Sequence, residues 1–288
     1  VDLDYRNMVT LSLTGRNDWT SALQSPYNSY FYPSASLSLI VSEMLHLPKV
    51  VSYFKLRGAV TDATTDINAY SALLNYEIGS RWNGNPSLYL PNALRPPGLK
   101  PNKTISQEYG AELRLFRNRI GLDFTYFNYD RTNNVVEVPL SEASGFAKLQ
   151  VNGDRYRRRG IELVVSGTPV QTENFKWTTT LNYSRLRNTV LEYHDGEEIR
   201  GGVKVGERMD IYRGWAWQKS PDGQVVHENG IPQYINQEVN LGYVLPNWEF
   251  GFQNSFQYKN FGISFAFDGR IGGKTNNGIE AKMYEGGM

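Results

Sequence analysis

The sequence predicts an all-β fold: an antiparallel transmembrane β-barrel with long extracellular loops and short periplasmic turns. Two observations predict it. Apolar and polar residues alternate along several segments, and the connections between those segments are alternately short and long. Adjacent strands of a membrane barrel end on opposite sides of the bilayer, so one side collects tight turns and the other collects long loops.

The connection lengths divide by parity along the chain. Short connections are predicted at residues 42–50, 116–119, 168–174 and 259–260. Long connections are predicted at residues 21–29, 62–105, 131–154 and 188–246, and they contain many Asn, Gly and Pro residues, as loops built from turns do. A soluble β-sandwich or barrel is the alternative, but it has no reason to separate long from short connections in this way.

Composition narrows the class of protein. The mean hydropathy of −0.49 is low, which a barrel wall permits because half of each strand faces away from lipid. Aromatic residues make up 13% of the chain, and 19 of its residues are Tyr, which favours membrane–water interfaces. A net charge of +1 argues against nucleic-acid binding. The sequence has no Cys, which excludes disulfides, Cys-type zinc sites and thiol nucleophiles.

Nine segments fit half-buried strands, and the longest have the ~9–11 residues that a tilted strand needs to cross a bilayer. Their cores are residues 9–13, 35–41, 54–58, 108–115, 120–126, 161–167, 175–183, 248–258 and 261–270. The alternation is clearest after residue 247, where only Asn254 interrupts an otherwise apolar face. We predict that this face contacts outer-membrane lipid through Trp248, Phe250, Phe252, Phe256, Phe261, Ile263 and Phe265.

The two ends of the chain do not look like the ends of a complete barrel. Residues 1–5 lack the basic start and apolar stretch of an export signal. Residues 285–288 lack the amphipathic pattern of a closing strand. We therefore expect the chain to be part of a longer protein.

Five stretches, taken in order, resemble a known family. They are TGRNDWTSAL and NSYFYPSASLSLIVSE within residues 14–43, FKLRGAVTDA at 54–63, GLKPNKTISQEYGAELRLFRNRIGLDFTYFNYDRTNNVV at 98–136, RRGIELVVSGTPVQTENFKWTTTLNYSRLRNTV at 158–190, and WEFGFQNSFQYKNFGISFAFDGRIGG at 248–273. They resemble the SusC/RagA type of TonB-dependent transporters, which import glycans or peptides across the Gram-negative outer membrane.

The resemblance implies a barrel of about 22 strands with a plug domain inside it. Residues 1–288 would be a partial barrel domain, without the plug, the TonB box, the early strands and the final strands. The implied partners are a SusD-type surface lipoprotein that acts as a lid, the TonB energy-coupling complex, outer-membrane lipid and an oligosaccharide or peptide substrate. Three alternatives stay open: a siderophore or cobalamin receptor, a non-transport barrel that serves as an adhesin or scaffold, and a secreted glycan-binding protein.

Aromatic residues in the long loops are the candidate substrate contacts. They are Trp82, Tyr89, Tyr212, Trp215 and Trp217. Exposed rings can stack on sugar faces or bury peptide side chains. The competing interpretation is that these rings pack the loops against one another.

The basic run Arg155, Arg157, Arg158 and Arg159 is a candidate for contact with lipopolysaccharide phosphates, because guanidinium groups bind phosphate in pairs of hydrogen bonds. A solvated loop edge is the simpler interpretation. This run also departs from the family pattern, in which a less charged segment is expected before Gly160, Ile161 and Glu162.

No catalytic site is predicted. The three His residues are far apart in sequence, and no nucleophile-elbow motif is present. We therefore expect no enzymatic activity, no metal site and no cofactor.

Overall fold

The computed structural model describes residues 1–287 and is dominated by one antiparallel sheet of ten strands that follow each other in chain order. This confirms the predicted all-β antiparallel fold. We number the strands β1 to β10, and their bounds are Asp2–Tyr5, Val9–Trp19, Ser29–Ile40, Val51–Thr65, Asn102–Leu115, Ile120–Thr132, Arg155–Gln171, Phe175–Glu192, Trp248–Tyr258 and Phe261–Ile271. Within residues 1–287, β1 and β10 do not pair with each other, so the sheet is open.

The connections alternate in length as predicted. At one end of the sheet, which we call the turn end, they span residues 6–8, 41–50, 116–119, 172–174 and 259–260. At the other, the loop end, they span residues 20–28, 66–101, 133–154 and 193–247. The first turn shows why the turn end can be so tight: Arg6 and Asn7 adopt left-handed φ angles of 53° and 54°, and the Met8 amide donates to the Tyr5 carbonyl at 3.0 Å.

The register keeps residues of like polarity on the same side of the sheet. Phe252 lies opposite Leu181 of β8 and Phe267 of β10, whereas the next residue, Gln253, lies opposite Thr180 and Ala266. Because successive side chains of a strand point to opposite sides, each strand contributes to both. We call these sides the apolar face and the polar face.

The polar face is the concave side of the sheet. Three cavities, of about 780, 420 and 310 Å³, are lined mainly by polar-face residues such as Asp123, Asn182 and Gln253. The sheet therefore curves around its polar face, as a barrel wall curves around its lumen.

The protein itself covers little of the apolar face. Phe261, Ile263 and Phe267 are 80%, 66% and 61% exposed. A buried apolar cluster lies instead among the connections of the loop end, where Leu23, Ala72 and Leu99 pack together. An apolar surface this continuous marks contact with an apolar partner.

The loops contain short elements of their own. Antiparallel pairs form between Glu77–Ile78 and Leu88–Tyr89, Ile199–Arg200 and Val203–Lys204, Ile211–Gly214 and Val239–Tyr243, and His227–Glu228 and Ile231–Pro232. Lys148–Gly153 pairs with Asn134–Pro139 and, in parallel, with Ala93–Leu94. The 3-10 turns are Glu142–Ser144 and His194–Gly196.

The described part of the chain also contains two short α-helices, Val41–Met44 and Gly278–Glu285. Over residues 1–287, neither is long and apolar enough to cross a membrane. Residues 285–288 are predicted not to form a closing strand, and of these Met288 lies outside the described part of the chain.

The structure differs from the sequence prediction at several strand ends. The tenth strand, β1, was not predicted, and β3 ends at Ile40 because Val41 begins a helix. Residues 168–171, predicted as a turn, extend β7 past a bulge between Gly167 and Val170. β7 also begins at Arg155, so the basic run lies in a strand that pairs with β6 and β8 rather than in a loop.

Asn254, the polar interruption of the apolar face, is covered by a neighbouring ring. Its side-chain oxygen accepts a hydrogen bond from the Trp177 indole nitrogen at 2.9 Å, and only 4% of Asn254 is exposed. Trp177 in turn stacks on Phe256, with ring centroids 5.6 Å apart. The amide is thus hidden beneath aromatic rings, and the surface above it remains apolar.

Candidate functional surfaces of the barrel wall

Trp215, Trp217 and Tyr234 form an exposed aromatic cluster in loop 193–247, the longest connection. The segment that carries both indoles is extended and runs antiparallel to the segment that carries Tyr234. The Ile235 amide donates to the Ala216 carbonyl at 2.9 Å, and Trp217 forms a β-bridge with Tyr234. Because side chains alternate along an extended segment, Trp215 and Trp217 lie on the same side as Tyr234.

The three rings remain open to solvent. Trp215, Trp217 and Tyr234 are 58%, 52% and 56% exposed. Trp215 meets Tyr234 edge-to-face, with centroids 5.6 Å apart and ring planes at 87°. Together with Ala216 they line an open cavity of about 510 Å³. Exposed rings of this kind are suited to stacking on a sugar face or covering an apolar side chain.

The other predicted loop aromatics lie apart from this cluster in the fold. Trp82 is 78% exposed at the tip of a turn in loop 66–101. Tyr89, in the same loop, donates its hydroxyl to the Glu77 carboxylate at 2.8 Å. Tyr212 is half-buried in the strand Ile211–Gly214, opposite Gly242. Of the five predicted residues, the structure brings only Trp215 and Trp217 together, and it adds Tyr234.

Asp154 ties two loops of the loop end together. Its side chain is 3% exposed. The carboxylate accepts two hydrogen bonds from Arg200 Nη1, at 2.8 and 2.9 Å, and one from the His194 amide, at 2.9 Å. Burial alone would raise the pKa of Asp154, but the hydrogen bonds from Tyr156 and His194 and the charge of Arg200 outweigh it and lower the pKa. Loop 133–154 is therefore held to loop 193–247 by an ionised carboxylate.

A second ion pair, largely shielded from solvent, closes the base of loop 193–247. Arg208 donates to Asp210 at 2.5 and 2.9 Å, and the Leu245 amide donates to the same carboxylate at 3.0 Å. Burial opposes ionisation here as well, yet Arg208 and the Leu245 amide keep the pKa of Asp210 below its usual range. The two ends of the aromatic hairpin are thus fixed to each other.

The polar face carries cross-strand ion pairs. Arg57 of β4 reaches across β5 to β6, where it donates to Asp123 at 2.7 and 3.2 Å and to Thr125 at 2.7 Å. Gly110 of β5 makes this possible, because a Cβ there would lie 2.4 Å from Arg57 Nε. The face is a hydrophilic wall, and within residues 1–287 it holds no group of three His, Asp or Glu side chains placed to bind a metal.

The predicted lipid-facing residues all project from the apolar face. Trp248, Phe250, Phe252 and Phe256 alternate along β9 opposite β10, where Phe261, Ile263 and Phe265 continue the same side. Their rings contact each other and their neighbours: Phe256 stacks on Phe265 with centroids 6.0 Å apart, and Trp248 lies 6.0 Å from Tyr183 of β8.

The basic run is divided between the two faces. Arg157 and Arg159 project from the apolar face, in register with Thr189 and Arg187, whereas Arg158 projects from the polar face, in register with Asn188. Arg155 pairs with Glu192 at 3.1 Å at the start of β7. The four residues therefore do not form one phosphate-binding group.

The sequence is similar to a known family of proteins and to individual members of it. Residues 1–282 match the family model described as TonB dependent receptor-like, beta-barrel. The TonB-dependent receptor P26 of Formosa agariphila is 27% identical over 95% of this chain and 31% of its own length. The TonB-dependent receptor SusC of Bacteroides thetaiotaomicron is 23% identical over 90% of this chain and 29% of its own length. The chain thus spans about a third of the length of these relatives.

Solved structures agree on the fold. The RagAB peptide importer in its open-open state superposes with a TM-score of 0.78 at 15% identity, over 94% of this chain and 32% of that one. The same importer in its closed-closed state gives 0.77 at 16% identity, over 94% and 32%. The ten-stranded wall, its two-sided polarity and the match over residues 1–282 show that the chain belongs to the TonB-dependent receptor β-barrel family of the outer membrane.

Proposed function

We propose that this chain forms part of the wall of a TonB-dependent importer of nutrient oligomers, either glycans or oligopeptides. The observation that carries the proposal is the open cluster of Trp215, Trp217 and Tyr234 at the loop end. Relatives named SusC and the RagAB peptide importer support a nutrient oligomer as cargo. The role proposed is transport, not catalysis.

In this proposal the cluster is part of the external vestibule, where it contacts the oligomer before it enters the barrel. A SusD-type lipoprotein closes over the loops, and the TonB complex supplies energy through parts of the longer protein. The ion pair between Arg208 and Asp210 supports this role, because it closes the base of the hairpin that presents the rings. A preorganised site loses less conformational entropy on binding.

The test measures oligomer affinity and lid association for the full-length protein with Trp215→Ala and Trp217→Ala combined. Each ring contributes about 1 kcal/mol to such contacts, so losing both should weaken oligomer binding roughly thirtyfold. Trp215→Phe with Trp217→Phe retains the rings and should bind nearly normally. Trp19→Ala removes another exposed indole, in β2, and is the control.

Unchanged oligomer affinity with weakened lid association would show that the rings brace the lid instead. Unchanged values for both would remove the cluster from the proposal. Panels of glycans and of peptides, tested separately, decide which class is bound.

A further inference from the structure

A group of arginines without acidic partners lies on the apolar face at the loop end of β7 and β8. Arg159 lies opposite Arg187, and Arg185 lies opposite Ile161, so the three guanidinium groups occupy neighbouring positions on one side of the sheet. We call Arg159, Arg185 and Arg187 the outward arginine patch. Only Arg159 belongs to the basic run that the sequence draws attention to.

The patch lies immediately beyond the apolar belt. Moving toward the turn end along the same face, the next residues are Ile161 and Leu163 on β7 and Tyr183 on β8. The ring of Tyr183 lies next to that of Trp248, with ring centroids 6.0 Å apart. Tyr and Trp favour the boundary between hydrocarbon and water, so this ring pair marks the level of the lipid headgroups. The patch begins two residues further along β8 toward the loop end, at Arg185.

The charges of the patch are not neutralised by the protein. Within residues 1–287, Arg159 and Arg185 are exposed and lie more than 4.0 Å from any carboxylate. Arg187 donates only to neutral acceptors, the carbonyls of Leu186 and Pro246 and the side-chain oxygen of Asn247.

Neighbouring arginines show that the chain provides acids where it needs them. On the same face one step further out, Arg157 forms a double hydrogen bond with Asp130 at 2.6 and 2.7 Å. Arg208, which shares the Asn247 oxygen with Arg187, is neutralised by Asp210. Like charges held this close repel unless an anion lies between them.

We propose that the outward arginine patch binds the phosphate groups of an outer-leaflet glycolipid headgroup. Planar guanidinium groups donate paired hydrogen bonds to phosphate oxygens, which suits them better than lysine to this ligand. The position favours a lipid over a soluble anion, because the patch is continuous with the apolar face that accepts the acyl chains. The lipid would therefore be held at both its headgroup and its chains.

The test compares two charge-matched variants of the full-length protein. The first combines Arg159→Gln, Arg185→Gln and Arg187→Gln. The control combines Arg81→Gln, Arg117→Gln and Arg158→Gln, three exposed arginines elsewhere in the structure. Binding of bisphosphorylated lipid A, and of the same lipid after phosphatase treatment, is measured by native mass spectrometry in detergent.

We expect the first variant to bind the bisphosphorylated lipid roughly tenfold more weakly or worse, and the control to bind it normally. The dephosphorylated lipid should bind all three proteins weakly and equally. Equal binding of the phosphorylated lipid to both variants would overturn the proposal. So would displacement of the lipid by inorganic phosphate at equal concentration, because it would identify a site for a soluble anion.

Replacing the same three arginines with lysine distinguishes a loss of lipid binding from a failure of the barrel to assemble. This variant retains the charge but not the paired donors, so it should assemble and show an intermediate loss of lipid affinity. Full affinity in the lysine variant would show that paired guanidinium contacts are not used.

Discussion

At the scale of single residues, the fate of an arginine depends on the face from which it projects. On the polar face, Arg57 crosses a whole strand to reach Asp123, and a glycine leaves room for it. On the apolar face of the ten described strands, arginines occur only near the loop end, where Arg157 has an acidic partner and Arg159 is exposed. An arginine at mid-height on that face would have neither water nor an acid.

The first prediction concerns Phe252, at mid-height on the apolar face of β9. Phe252→Arg should prevent barrel assembly, because a midplane cation on a lipid face costs ~2–4 kcal/mol. Gln253→Arg, one residue on and on the polar face, should assemble normally. Heat-modifiable migration of the full-length protein from outer membranes measures assembly. Equal tolerance of the two substitutions would refute the lipid-facing assignment.

The second prediction concerns the indole that covers Asn254. Trp177→Phe keeps a ring but leaves the Asn254 oxygen unpaired on the apolar face, so it should lower the free energy of unfolding by about 1–3 kcal/mol. The double variant Trp177→Phe with Asn254→Leu removes both polar groups and should recover most of that loss. Urea unfolding of the folded barrel in lipid vesicles measures both. If the double variant is as unstable as the single one, the hydrogen bond is not the cause.

At the scale of elements, alternation and connection length predict the strands but not their ends. β9 and β10 are recognisable because apolar and polar residues alternate along both, interrupted only at Asn254, and a tight turn joins them. β1 is not predictable from alternation, because it has four residues and its one aliphatic side chain, Leu3, lies between two aspartates. The start of β7 escapes it because Arg155 to Arg159 carry four charges, and only the partners supplied by β6 and β8 show that the run is a strand.

The third prediction concerns the two ends of the sheet. The turn end should face the periplasm and the loop end the cell exterior, since barrels of this kind keep their longer loops outside. An epitope tag inserted at Gly223 should bind antibody on intact cells. A tag at Asn260 should bind only after the outer membrane is opened. The reverse labelling would invert the topology.

The fourth prediction concerns acid release of the loops. A carboxyl with a lowered folded-state pKa stabilises the folded protein fully above its unfolded pKa of about 3.9, and that stabilisation is lost as pH falls through the lower value. For Asp154, whose folded-state pKa is lowered, the His194 amide should therefore be protected from hydrogen exchange at neutral pH and lose its protection below about pH 4.

Asp154→Asn should abolish that protection already at pH 7. Glu198→Gln, which alters an exposed carboxylate of the same loop, should leave it unchanged. A protection factor at His194 that is independent of pH in the parent protein would show that Asp154 does not hold the loop.

At the scale of the whole molecule, the general architecture could be predicted and the aromatic cluster only in part. Trp215 and Trp217 are two residues apart, so the sequence alone suggests that they share a side. Tyr234 joins them only because the loop turns back on itself, and no local pattern marks that return. No local pattern marks Arg185 and Arg187 either, because their significance depends on the register that brings them beside Arg159.

The scarcity of protein contacts on the apolar face has a consequence for how this sequence can diverge. In the core of a water-soluble protein, replacing a large side chain by a smaller one leaves a cavity that the packed neighbours fill only in part. Fluid acyl chains close such a hole, so at Ile263 or Phe267 one apolar residue can replace another with little loss. Positions where protein meets protein, such as Gly110 beneath Arg57, lack this freedom. Among descendants of this chain, substitutions should therefore accumulate on the lipid side, while the glycines and ion pairs of the inner wall change slowly.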